Sequence, residues 1–245
     1  MKLLIDGDIL VYRCGFAAQR GRGDEVEAEP VSHALHNVRE VVEAIQQALG
    51  SDDLTVYLSG STNFRFDIAT ERPYKGNRFD APKPVHYGAI TQFLKDTYDH
   101  VVSDNQEADD DLGIEQTRLT EGEHWGESCI VSIDKDLDMI PGNHYNWVKE
   151  EPYSTTLDEA NLFFYTQLVT GDQTDNVPGI PRKGIAAARK ALKDAATVEQ
   201  MYSAVRDLYV QAFTEKYADE ALLEQARLLW IRRYPDELWE PPNVD

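Results

Sequence analysis

The chain has 245 residues, 42% hydrophobic and 28% charged, the make-up of a folded protein long enough for one large domain or two small ones. Acids outnumber bases 44 to 24, a formal net charge of −20 at pH 7, which by itself argues against a polyanionic partner, because phosphate binding needs positive charge. No apolar run reaches the roughly 18 residues of a membrane span, the start meets an acid at Asp6, against a secretory leader, and Cys14 and Cys129 form neither a disulfide framework nor a metal spacing, which predicts reduced, buried thiols in a monomeric cytoplasmic protein without membrane contact.

Residues 2–6 read as a buried strand, followed by a short helix through Tyr12 and Phe16. Residues 20–29, rich in glycine and acids, read as a loop. Pro30 suits a helix start and Gly50 its stop. Between them Val31, Leu35, Val38, Val42, Ile45 and Leu49 recur at helical spacing. Leu54–Leu58 is the next strand, and residues 59–84, with their Gly, Pro and Asn, are irregular. Ala89–Thr97 is helical and Val101–Val102 a short strand. A helix opens in the acidic stretch after Asp104 and runs to about Leu119. Ser128–Ile133 is a strand, residues 134–140 a turn or short helix, and Tyr145–Val148 another strand. Alternating strands and helices over residues 1–155 predict a parallel, doubly wound sheet. Beyond Leu157 the pattern is helical, at 157–169, 184–194, 197–213 and 215–233, so residues 156–245 form a second, helical region.

The charge is unevenly spread. Arg72–Lys83 holds four bases and one acid, Arg182–Lys193 five bases and no acid, and Asp104–Glu115 six acids and no base. Asp6 ends the first strand, and Asp134 and Asp136 follow the strand at 128–133, where ligands bind in open parallel sheets. Glu107, Asp109 and Asp110 open a helix. The helix dipole accounts for one or two acids there, but poorly for Asp109, Asp110 and Asp111 in a row. Asp172 and Asp175 add a further pair. If these clusters converge, so many carboxylates cannot stay ionised without counter-charge, which hard divalent cations such as Mg²⁺ or Mn²⁺ supply. The absence of His or Cys at ligand spacing argues against zinc. Two ions about 3.5–4 Å apart would clamp an in-line phosphoryl displacement. Tyr74-Lys75-Gly76-Asn77-Arg78 pairs an aromatic with two cations that can neutralise a phosphate. The segment from Val177 through Gly184 reads as a turn opening a new helix with Arg182, Lys183, Arg189 and Lys190 nearby, an anion site that would hold a phosphodiester backbone without reading bases.

These blocks, in this order, resemble the flap endonuclease / 5′→3′ exonuclease family, and within it the phage-encoded 5′-nucleases. Leu4-Ile5-Asp6-Gly7-Asp8 resembles the first-strand metal motif. Tyr74–Arg78 resembles the block at the base of the helical arch, and Glu107–Asp110 and Ser132–Asp136 resemble the next acidic motifs. Gly171-Asp172 through Gly184 resembles the helix–three-turn–helix DNA-binding motif. The resemblance implies a PIN-like α/β domain followed by that helical region. It also implies Mg²⁺- or Mn²⁺-dependent hydrolysis of DNA from 5′ ends or at 5′ flaps and branch junctions, with RNA–DNA hybrid as a further substrate. It assigns Asp6, Glu107, Asp109 and Asp110 to one metal, Asp134 and Asp136 to a bridge toward a second, and Asp172 and Asp175 to that second ion. It sets Lys75 and Arg78 on the scissile phosphate, Tyr74 against a terminal base, and Gly179, Pro181, Arg182, Lys183 and Gly184 on DNA, with K⁺ in the same loop. One departure stands out. The family's aspartate after the second core strand has no counterpart in Ser59-Gly60-Ser61-Thr62-Asn63, and the next acid is Asp67.

Two other readings compete. Asp6-Gly7-Asp8 with Asp172…Asp175 also resembles a haloacid-dehalogenase-type phosphatase, but this leaves Glu107–Asp110, Asp134 and Asp136 unused. A non-catalytic homologue that only binds branched DNA would explain the missing acid.

Overall fold

Leu3, Leu4 and Ile5 are each 0% exposed, because their strand, Lys2–Asp6 (β1), runs through the middle of a sheet covered on both faces. The computed structural model describes residues 1–21, 25–121 and 126–244. The strands Leu54–Leu58 (β4), His100–Val102 (β5), Ser128–Val131 (β6), Gly142–Asn146 (β7) and Glu151–Thr155 (β8) join β1 in the order β5-β4-β1-β6-β7-β8. Pairing from β5 to β7 is parallel, with Leu3 facing Leu54 on one side and Cys129 on the other. The expected parallel α/β sheet is present. Because β4 and β6 lie on opposite sides of β1, the chain order reverses there and opens a crevice at the carboxyl ends of β1 and β6.

The helices Gly7–Ala17 (α1), Val31–Leu49 (α2), Tyr87–Thr97 (α4) and Ala108–Thr120 (α5) belong to the same unit as the sheet, which comprises Met1–Thr62, Ala81–Leu137 and Gly142–Ser154. α2 has the expected bounds, closed by Gly50 in the left-handed region at φ 63°. Its Ala34, Val38, Val42 and Ile45 join the core with Leu3, Ile5, Val56 and Val131. Cys14 and Cys129 are buried free thiols there, and burial pushes them up to about 11 and about 12.

Two local expectations are corrected. The loop expected at 20–29 contains a short antiparallel pair, Gln19–Arg20 (β2) with Glu27–Ala28 (β3); its residues 22–24 lie outside the described residues. The strand expected at Tyr145–Val148 begins earlier, at Gly142, and β8 follows it unforeseen. β8 is mostly exposed and carries Pro152, an edge strand without the apolar alternation that marks a buried one.

The second unit comprises Asn63–Asp80, Asp138–Pro141 and Thr155–Asp245. It holds the short helix Arg65–Ile68 (α3), then Leu157–Thr170 (α6), Ile185–Leu192 (α7), Val198–Ala212 (α8) and Glu215–Leu229 (α9). Thr156 and Glu159 form a reciprocal cap at the start of α6. Segment 63–80 is stitched in by the buried Arg65, which donates to Leu228 O at 3.0 Å and Trp230 O at 2.6 Å. Arg233 does the same for 138–141, donating to Met139 O at 2.7 Å. These buried guanidinium contacts explain why α9 stops at Leu229 rather than at the expected 233. Burial brings Arg233 down to about 10. Among the described residues no helix is long and apolar enough to cross a membrane.

Candidate active site

In the α/β unit, Asp6 ends β1 and caps α1, its Oδ1 accepting the Ile9 N–H at 3.1 Å. Oδ2 accepts the Ser132 hydroxyl at 2.6 Å, and the same hydroxyl oxygen accepts the Asp134 N–H at 3.0 Å. One serine thereby links the ends of β1 and β6 at the crevice. Asp134 Oδ1 in turn accepts the Asp136 N–H at 2.9 Å. Asp6 is only 2% exposed. Burial first, then the charge of Asp8 and more weakly that of Asp134, push its carboxyl up to about 7, against the lowering pull of Ser132 and Ile9. A buried carboxylate facing two others lacks counter-charge.

Asp8 was not singled out from the sequence as a site residue. It lies on the first turn of α1, and both its oxygens face the Ser59 N–H just after β4, at 3.1 and 3.3 Å. Its only sequence signal is the spacing Asp-Gly-Asp at a strand end. The missing acid in 59–63 has a steric cause at one position: a Cβ on Gly60 would come within 2.1 Å of Ser103 O. Ser59 instead uses its hydroxyl to accept the Ala108 N–H at 3.0 Å, tying this loop to the start of α5. Asp67 falls on α3, in the helical unit.

At the start of α5, Glu107 and Asp110 form a capping box, with Asp110 accepting the Glu107 N–H at 3.0 Å. Capping thus accounts locally for these two acids, and Asp110 is fully buried. Among the described residues no three His, Cys, Asp or Glu side chains are grouped so as to hold an ion. Within the α/β unit, Asp6, Glu107, Asp109, Asp110, Asp134 and Asp136 therefore do not form a closed ligand shell as they stand. The donor set at the crevice, all carboxylate oxygen, nonetheless fits a hard divalent cation, and each carboxylate oxygen retains lone pairs beyond one hydrogen bond.

In the helical unit, α6 ends at Gly171 and turns run to Gly184, the N-cap of α7. Asp172 and Val177 pair through both backbone bonds, at 2.9 and 2.8 Å. Gly179 adopts φ +64°, and a Cβ there would lie 2.3 Å from Gly171 N, so the turn admits only glycine at that point. Arg182 stands at φ +61°. Arg182, Gly184, Arg189 and Lys190 are exposed around the opening of α7, and Lys183 is half-buried. Asp172 is 8% exposed and accepts the Thr174 and Asp175 N–H groups and the Gln167 amide. Asp175 accepts from Tyr74 Oη at 2.8 Å and Arg78 Nη2 at 2.9 Å. Tyr74 corrects one expectation. Its ring is 2% exposed, with the Phe66 ring edge-on at 5.9 Å and Lys75 Nζ over its face at 5.1 Å. It is packed into its own unit and offers no open face to a base.

No protein-family model matches the chain. It is 26% identical over 221 residues to the 5′-3′ exonuclease of Buchnera aphidicola subsp. Schizaphis graminum, spanning 84% of this chain and 74% of the relative. It is 25% identical over 253 residues to the exodeoxyribonuclease of Enterobacteria phage T3, spanning 97% of this chain and 78% of the relative. Its fold matches that of the bacteriophage T5 flap endonuclease, solved as a pseudo-enzyme–product complex with DNA and metal ions. There the TM-score is 0.63 at 16% identity, covering 93% of this chain and 88% of that one. In sequence and in fold the chain is similar to members of the flap endonuclease / 5′→3′ exonuclease family.

Proposed function

We infer that the protein hydrolyses DNA phosphodiester bonds from 5′ ends, or at 5′ flaps and branch junctions, with divalent metal, leaving 5′-phosphate and 3′-hydroxyl. The observation that carries this reading is the Asp6–Ser132–Asp134 linkage at the switch point, with Asp8 close enough to raise the Asp6 carboxyl. Asp6, Glu107, Asp109, Asp110, Asp134 and Asp136, all in the α/β unit, would hold Mg²⁺ or Mn²⁺. Such ions, when bound, lower the pKa of water and neutralise charge on the phosphate. The chain's own residues do the rest. Ser132 orients the Asp6 carboxylate, and the buried strand ends fix both in place. Lys75 and Arg78 hold the scissile phosphate, where charge grows in the transition state. Arg182 and Lys183, with the backbone at Gly179, Pro181 and Gly184, grip the sugar-phosphate chain without reading bases. K⁺ in that loop follows from the family likeness alone.

The test uses an end-labelled duplex and a 5′-flap substrate, each with Mg²⁺, Mn²⁺ or EDTA. Metal-dependent release from the 5′ end or the junction is expected, and the ratio of mononucleotide to flap-length product separates the two modes. A second reading, a homologue that binds branched DNA without cutting it, is favoured by the absence of any acid in Ser59–Asn63. Retention of flap DNA on a gel with no cleavage in any metal would select it.

A further inference from the structure

Gly7 lies between Asp6 and Asp8 and is buried against β4. A Cβ there would come within 2.6 Å of Tyr57 O and 2.8 Å of the Leu58 side chain. Without one, the first turn of α1 can press onto the end of β4. This brings the Asp8 carboxylate to the residue after that strand, where the Ser59 N–H is shared between its two oxygens at 3.1 and 3.3 Å. The Ser59 hydroxyl carries the link onward, accepting the Ala108 N–H at 3.0 Å. Further along the loop, Thr62 Oγ1 donates to Asp104 Oδ1 at 3.0 Å and accepts the Asn105 N–H at 2.9 Å. The loop after β4 is thus bonded to the start of α1 and to the approach of α5, all within the α/β unit.

Ala108 shows why this link matters. It is the first residue of α5 and is 1% exposed. The N–H groups of a helix's first turn have no partner within the helix, and a buried N–H without an acceptor is costly. The Ser59 hydroxyl therefore fixes where α5 begins. Glu107 immediately precedes Ala108, and Asp110 follows in the same turn. Their reciprocal capping box fixes these two acids relative to α5, but not relative to Asp6. At the far end of β1, Lys2 Nζ meets Glu115 Oε1 at 3.2 Å, well along α5. At the acidic end, where like charges repel, the tie between α1 and α5 runs through Asp8 and Ser59.

We propose that Asp8 and Ser59 are positioning residues: together they hold the start of α5, and with it Glu107 and Asp110, against the strand end that carries Asp6. This rests on the reading of these acids as holders of a divalent ion. It also gives the loop without an acid, Ser59–Asn63, a part in the site, played by a hydroxyl.

Ser59→Ala leaves every carboxylate in place, so a loss of ion binding in it is not the loss of a ligand. Mn²⁺ binding followed by electron paramagnetic resonance should weaken about tenfold in Ser59→Ala and to the same extent in Asp8→Ala. The double variant should bind Mn²⁺ no more weakly than either single one, because both substitutions break one relay. In EDTA, hydrogen exchange read by mass spectrometry should be faster over residues 107–112 in both single variants. Asp8→Asn, whose side-chain oxygen can still accept the Ser59 N–H, should exchange there like the wild type. Single-turnover cleavage of flap DNA should slow alike in Ser59→Ala and Asp8→Ala. Mn²⁺ affinity lost in Asp8→Ala but kept in Ser59→Ala, additive losses in the double variant, or unchanged exchange at the start of α5 would overturn the proposal. Should Asp8→Ala fail to fold, Ser59→Ala and Asp8→Asn decide between these outcomes. Absence of Mn²⁺ binding and of cleavage in the wild type would instead remove the metal-nuclease reading, and the exchange result would still decide whether Asp8 and Ser59 hold α5.

Discussion

Asp6 is buried, caps α1 and is hydrogen-bonded, and its carboxyl still lies near 7 because burial and Asp8 outweigh Ser132 and Ile9. The sign of the stability effect follows. Between the ordinary carboxylate value and about 7, the folded protein holds a proton that the unfolded chain has released, so stability falls as pH rises through this window. Thermal melts in EDTA should show that decline, and Asp6→Asn should flatten it. A flat wild-type profile would mean that the crevice acids are better compensated than their geometry suggests. Asp134 is half-buried, and among the described residues it bonds to its immediate turn and Ser132. Asp134→Ala should therefore cut cleavage by more than about a hundredfold, with a melting temperature within about 2 °C of wild type. A near-normal rate would remove Asp134 from the site. Tyr74 marks the limit of reading a residue from its neighbours in sequence. An aromatic beside Lys75 suggests stacking on a base, and only tertiary packing reveals that the ring is enclosed.

At the scale of elements, the site rests on how strands and helices end. β1 runs directly into α1, which places Asp6 at a strand terminus and a helix cap at once. β6 ends one residue before Ser132, whose hydroxyl bridges to that cap. These terminations were legible, since apolar runs closed by acids mark strand ends in a parallel sheet. The turns between α6 and α7 were legible too, from Gly171, Pro178, Gly179 and Pro181. Gly179→Ala should be costly, because the new Cβ would overlap Gly171 N and Thr170 C at a positive φ. A loss of about 2 kcal/mol or more is expected, read as a lower urea midpoint, together with weaker DNA binding. An unchanged midpoint would show that the turn can open without penalty. β8 was not legible: an exposed edge strand with a proline carries no periodic signal.

For the molecule as a whole, the net charge of −20 sits poorly with a polyanionic ligand until its distribution is considered. The bases Arg182, Lys183, Arg189, Lys190 and Lys193 fall within one twelve-residue stretch without an acid, so binding should be local and salt-sensitive. With about four phosphates neutralised, DNA affinity should fall roughly a hundredfold between about 50 and 200 mM salt. Replacing Arg182 and Lys183 by alanine should reduce the slope of log affinity against log salt by about 2. Affinity independent of salt would exclude this stretch as the binding surface. The sequence by itself determined the alternation of strands and helices, the acids at strand ends and the basic turn, because each depends on spacing along the chain. Only the tertiary structure decided that 63–80 and 138–141 pack with the helices, that Tyr74 is enclosed, that Asp8 faces the loop after β4, and that Asp175 meets Tyr74 and Arg78. Those facts depend on side chains brought together from distant segments, where burial and charge compensation act through space and leave no local pattern.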